Sequence, residues 1–240
     1  MRSVMRKLAP AALAVALSAC ASTPQTTSYN KATRIKGIAI QPPGVPDKPL
    51  VHTLESGGSG FSISDAFSSD SDADQGREAA AARDLQEIFT STNYDYKKDV
   101  RESLQSAFSK SGMPIITLRG ERPLKDRAKF VGQCPPVPGA DTCLDVYVTF
   151  VGFTAPNPTA DYVPTVQMHA KLVRMADNAT LFQDQIVYNG PPSTQAIVAQ
   201  SSDKHKFRDG DAMKANPQAV TDAVKEAVQS VTTTLAKQFQ

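Results

Sequence analysis

Apolar and polar residues alternate most clearly late in the chain. Leu144, Val146, Val148 and Phe150 take turns with Asp145, Tyr147 and Thr149. A period of two predicts a strand with one face on a core and a second, half-polar face. The pattern repeats with Val166, Met168, Ala170 and Leu172 against Gln167, His169 and Lys171. Ala176-Asp177-Asn178-Ala179 then reads as a turn and Leu181 to Tyr188 as the returning strand of a hairpin. The polar register places His169 on the solvent side. Two shorter runs complete the strand set. Ile35, Ile38 and Ile40 precede Pro42-Pro43, which cannot continue a ladder, and Pro114-Ile-Ile-Thr-Leu118 gives a second short strand.

Other stretches repeat at 3.6. Tyr96, Val100, Leu104, Ala107 and Phe108 share one helical face, with Asn93 or Asp95 as cap and Gly112 then Pro114 as stop. Near the end, Asn216 is placed to cap a helix with Pro217 in its first turn. Val220, Val224, Ala227, Val231 and Leu235 form its apolar stripe, opposite Asp222, Lys225, Glu226 and Gln229. Arg77 to Thr90 is a weaker helix with Leu85, Ile88 and Phe89 on one side, and 194–201 a short one. The fold class expected is α/β (α+β): a two-layer, mixed and mostly antiparallel sheet with helices packed on one face. Residues 34–240 form one domain. Residues 43–76 read as a mobile excursion, with Leu50 to Leu54 and Phe61-Ser62-Ile63 able to pair as a short hairpin. The mixed basic run from Arg119 to Lys129 reads as a solvated face.

The first 33 residues follow a different logic. Arg2, Arg6 and Lys7 precede an apolar stretch from Leu8 to Leu17. At about 10 residues it is short of the ~20 that span a bilayer, so a cleavable leader over 1–19 fits. Leu17-Ser18-Ala19-Cys20 resembles the lipobox of bacterial lipoprotein signals. That resemblance implies cleavage before Cys20, lipidation of Cys20 and a polar tether over 20–33. An ordinary secretory signal cut after Ala19 is the alternative, and Leu17 spoils its small-residue site. Ala21 follows the cysteine where, by the sorting rule of well-studied Gram-negative bacteria, an Asp would hold the protein at the inner membrane. The localisation implied is the outer membrane, with the domain in the periplasm.

Losing the leader changes the charge. The chain has 26 basic and 24 acidic residues, formally +2, and the leader removes three of the basic ones. The 23 left give −1, so no overall basic balance points to nucleic acid or anionic lipid.

Cys134 and Cys143 remain as an even pair in an oxidising compartment, bracketing the turn-rich Pro135 to Thr142. A disulfide is expected. A metal site would need further ligands, and His52, His169 and His205 lack ligand-like spacing. No cofactor or metal site is expected. Asp70-x-Asp72-x-Asp74 has the opening of a calcium loop, but Gln75 and Ala81 stand where that loop needs Gly and Glu. Gly57-Gly58-Ser59-Gly60 lacks the Lys-Ser/Thr of a phosphate loop. With no nucleophile elbow or zinc-protease helix, no catalytic residue is assigned and the protein is not expected to be an enzyme.

The order of elements from Ile35 onward resembles that of periplasmic lipoprotein domains of the TolB N-terminal, CsgG and LpoB group. There a first strand and a helix of the Tyr96–Phe108 kind precede a three-strand meander, here Leu144 to Tyr188, and a terminal helix. The resemblance implies scaffolding or assembly in the envelope, with a protein partner in addition to the membrane reached through Cys20. Alternatives are an auxiliary subunit of a transport or secretion system, or a lipoprotein that binds a lipid or small molecule.

Overall fold

The structure is a computed structural model that describes residues 34–53, 72–157, 159–190 and 196–240, with backbone alone for 72–77. The leader, Cys20, the tether, the Gly-rich run and Phe61-Ser62-Ile63 lie outside the described residues. The strands are β1 (Ile38–Ile40), β2 (Leu50–Thr53), β3 (Ile115–Thr117), β4 (Thr142–Ala155), β5 (Val163–Arg174), β6 (Thr180–Tyr188) and β7 (Ile197–Val198). The helices are α1 (Asp72–Ser91), α2 (Tyr96–Lys110), α3 (Gly210–Ala215) and α4 (Pro217–Lys237).

All seven strands form one mixed sheet in the order β3-β1-β4-β5-β6-β7, with β2 also on β4. The meander β4–β5–β6 is antiparallel, while β1, β2 and β3 run parallel to β4. Core-facing residues share one register: Leu144, Val146 and Val148 on β4, Val166, Met168, Ala170 and Leu172 on β5, and Phe182, Ile186 and Tyr188 on β6. A bulge after Val148 shifts the phase by one, so Val151 and Phe153 take over the core positions. The α4 stripe Val220, Val224, Ala227, Val231 and Leu235 is fully buried against this face, together with Val100, Leu104 and Phe108 of α2. The α/β class with helices on one face is therefore present as expected.

Local signals set the helix ends. Asp95 caps α2, accepting from the Lys97 and Lys98 amides, and Gly112 adopts φ +76° just beyond its end. Asn216 departs from expectation. Its side chain does not cap α4 but donates Nδ2–H to the carbonyl of Ala212, 3.1 Å away. It is drawn to the preceding short helix, α3, which Asp209 caps. The short helix expected at 194–201 is not formed in its described part, where Ile197–Val198 adds a parallel strand to β6.

The segment after β1 also differs from expectation. Residues 42–53 run along β4 instead of leaving the sheet. Gln41 and Gly44 donate backbone N–H to Leu144 and Val146, and β2 pairs with Gly152 to Ala155. The segment has 16 residues from Ile38 to Thr53 opposite 14 on β4, so it is one strand broken by its prolines: β1 lies between β3 and β4, and the part from Pro42 onward is a broken edge strand. β2 sits so close that a Cβ on Gly152 would lie 1.7 Å from the carbonyl oxygen of Leu50. Leu50 to Thr53 thus pair with β4.

Candidate functional site

The second face of the sheet, expected to be solvated, carries Asp145, Tyr147, Gln167, His169 and Lys171. The segment 119–141 lies across part of it, and the sequence gives no periodic signal for that covering. Arg122, from the run read as a solvated face, is 5 % exposed, as is Asp145. Its Nη2 pairs with Asp145 Oδ1, its Nε donates to the carbonyl of Pro42 (3.1 Å) and its Nη1 to that of Lys129 (2.9 Å). The other carboxylate oxygen of Asp145 accepts from the Val131 amide. Burial pushes the Asp145 carboxyl up from its ordinary range, and the Arg122 guanidinium and the Val131 amide draw it back down.

A second, more exposed knot lies beside the first. Asp47, in the broken edge strand, accepts from Arg127 and from Lys97 Nζ (2.7 Å). Those cations hold its carboxyl below the usual carboxylate range. Gly44 allows the close approach here, since a Cβ on it would lie 2.1 Å from the carbonyl oxygen of Arg127.

Aromatic contacts extend the covering. Phe130 meets Tyr147 edge-on with ring centroids 4.8 Å apart, and Lys171 Nζ lies 5.9 Å from the Phe130 centroid. Tyr147 stacks on His169, its cross-strand neighbour, at 4.6 Å and an interplanar angle of 8°. His169 is therefore half-buried and not solvent-facing. Desolvation lowers its pKa to about 4, so the ring is neutral at pH 7. The disulfide Cys134–Cys143 closes the arrangement, joining the segment to fully buried Cys143 with Cα atoms 6.3 Å apart. A shallow cleft beside it is lined by Gln41, Gly132, Asp145, Lys171 and Asn178.

The outer side of this segment is apolar in places. Among the described residues three large apolar side chains are exposed: Leu124 (70 %), Val131 (36 %) and Val198 (71 %). Two of them belong to the bolted segment. The third sits on β7 at the far edge of the sheet.

The three histidines do not come together in one shared site. His52 Nδ1 lies 2.7 Å from Glu78, His205 Nε2 lies 3.3 Å from Glu226, and His169 is against Tyr147. Among the described residues no group of three or more His, Cys, Asp or Glu side chains could hold a metal ion, and no helix is long and apolar enough to cross a membrane. A small apolar cleft lies between β2, α1 and α3, lined by Val51, Leu85, Ile88, Tyr162 and Met213. Of the residues that build the polar face, the sequence singled out the cysteine pair and His169. Arg122, Phe130 and Asp47 were missed. The one signal for their site was Asp145, an acid inside the clearest strand.

No protein-family model matches the sequence, and neither does any curated protein. Among solved structures the chain resembles a Xanthomonas campestris protein of the family DUF330, at 12% identity and a TM-score of 0.42, covering 89% of each chain. It also resembles the PelC dodecamer protein from Paraburkholderia phytofirmans, at 8% identity and TM-score 0.31, covering 88% of this chain and 96% of that one. A lipoprotein from Neisseria meningitidis matches at 16% identity and TM-score 0.21, over 65% of this chain and 87% of that one. Likenesses of this strength carry no argument about what the chain does.

Proposed function

We propose that the protein is an outer-membrane lipoprotein, anchored through Cys20, whose domain binds another envelope protein in the periplasm and performs no chemistry of its own. The supporting observation is the segment 119–141. A buried ion pair, a disulfide and an aromatic contact fix it to the sheet, and it presents Leu124 and Val131 to solvent. A rigid segment loses little freedom on binding, and exposed apolar side chains on it are anchors for a partner. Burial of Arg122 and Asp145 uses these charged groups to position the segment, which leaves them poorly placed for acid–base work.

Intact mass and membrane fractionation of the full chain expressed in a Gram-negative host test the reading. The expected product begins at Cys20, carries acyl groups and sediments with the outer membrane. A product that is soluble, unlipidated and cut elsewhere would overturn the anchored reading.

A further inference from the structure

We infer that the end of the domain nearest the tether is a docking surface for an anionic phospholipid bilayer. The inference rests on the reading of Cys20 as the anchor, and it concerns what the folded domain does once held there.

The sheet defines the end. β1 begins at Ile38, opposite Ile115 and Thr142, and Thr142 lies opposite Arg174 at the close of β5. Thus the starts of β1, β3, β4 and β6 and the end of β5 lie together. The C-terminal ends of α2 and α4 join them, because Phe239 packs on both Phe108 and Phe182 with ring centroids 5.8 and 5.1 Å apart. Arg34 and Lys36, the first basic residues after the tether, emerge at this end, and Asp141 fixes them there by accepting from the Lys36 and Gly37 amides.

Four exposed cations therefore cluster at one end: Arg34, Lys36, Lys110 and Lys237. None of the four makes an ion pair among the described residues. The carboxylates nearby are occupied, Asp141 by the two amides and Asp177 by Arg174 at 3.0 Å. The opposite end differs. There Lys206 faces Asp203, Lys214 faces Asp84 and His52 faces Glu78. Lys110 and Lys237 also stand in the last turns of their helices, which by itself favours cations. That preference does not account for Arg34 and Lys36, which precede a strand.

Position turns this cluster into a membrane surface. Thirteen residues separate Cys20 from Arg34, and fully extended they reach at most about 50 Å. The cluster surrounds the point where the tether enters the domain, so it is the part of the domain in shortest reach of the headgroups. Basic residues within a Debye length of an anionic surface each add to binding, and a lipid anchor with a basic patch makes a two-signal attachment. The formal charge of −1 hides this, because it averages over ends of different character.

Vesicle sedimentation of the full mature chain carrying Cys20→Ser tests the surface without the anchor. With vesicles of one part phosphatidylglycerol to two parts phosphatidylcholine at low salt, the protein is expected to bind. Binding to pure phosphatidylcholine vesicles, or in molar salt, is expected to fall at least about tenfold. Replacing Arg34, Lys36, Lys110 and Lys237 together by Gln is expected to cause the same loss with an unchanged melting temperature. Equal binding to both vesicle types, no binding to either, or full binding by the four-Gln chain would each overturn the inference. Failure of lipidation would appear in the intact mass of the unmodified protein, so the two failures are distinguishable.

Discussion

The two faces of the sheet are closed in opposite ways. On one, α2 and α4 lay continuous apolar stripes over Leu144, Met168 and Ile186, and stability comes from area removed from water. On the other, a segment with little regular structure is held by a few discrete links: Arg122 to Asp145, Phe130 to Tyr147, and Cys134 to Cys143. An apolar face spreads its stability over many side chains, each of which leaves a costly cavity when it is cut back. A face held by single links concentrates its stability, and its exposed side chains, at named residues.

The largest expected effect lies on the helical face. Phe108→Ala leaves a cavity beside Phe239 and should cost about 3 to 5 kcal/mol by denaturant unfolding. Arg122→Ala should cost about 3 kcal/mol, because it leaves the Asp145 charge buried without its partner. Adding Asp145→Leu to Arg122→Met should recover most of that loss. If the single variant were nearly neutral, the ion pair would not be what holds the segment. Cys134→Ser with Cys143→Ser should cost about 2 to 3 kcal/mol, as expected for closing a loop of this length. It should also raise hydrogen exchange in 122–134 while leaving α4 protected.

The next effect is a pH dependence. His169 has its pKa lowered to about 4, whereas an unfolded histidine titrates near 6.5. Between those values the unfolded chain binds the extra proton, so this residue's contribution is present above pH 6.5 and is lost as the pH falls toward 4. His169→Phe should remove up to about 3 kcal/mol of that acid sensitivity. The comparison must be made against the wild type at each pH, because burial raises the Asp145 carboxyl above its ordinary range and so gives a contribution of opposite sign. The smallest effect is expected from Leu124→Ser. That side chain is 70 % exposed, so stability should change by less than about 0.5 kcal/mol while partner binding falls.

The same contrast explains what could be read from the sequence. Val220, Val224, Ala227, Val231 and Leu235 announce their burial through spacing alone, and so do the alternating residues of β4 and β5. The polar face has no such code. Arg122 and Asp145 are 23 residues apart, and a lone arginine in a basic run looks solvated until the fold brings its partner to it. His169 follows the polar register correctly, but that register does not say that Tyr147 and Phe130 cover it. Residues 42–53 carry four prolines and so read as irregular chain, although they run along β4 wherever a backbone N–H remains to donate. The disulfide was legible because its chemistry needs only two residues and a compartment.

The most direct test of the central claim is site-specific photo-crosslinking in living Gram-negative cells. A photoreactive residue is placed at position 124 on the bolted segment, and in a separate chain at Thr233, an exposed position on α4. The account predicts a discrete adduct with one envelope protein from position 124, none from 233, and loss of the adduct when Arg122→Ala is added. Equal labelling from both positions, or an adduct from 124 that survives release of the segment, would contradict it.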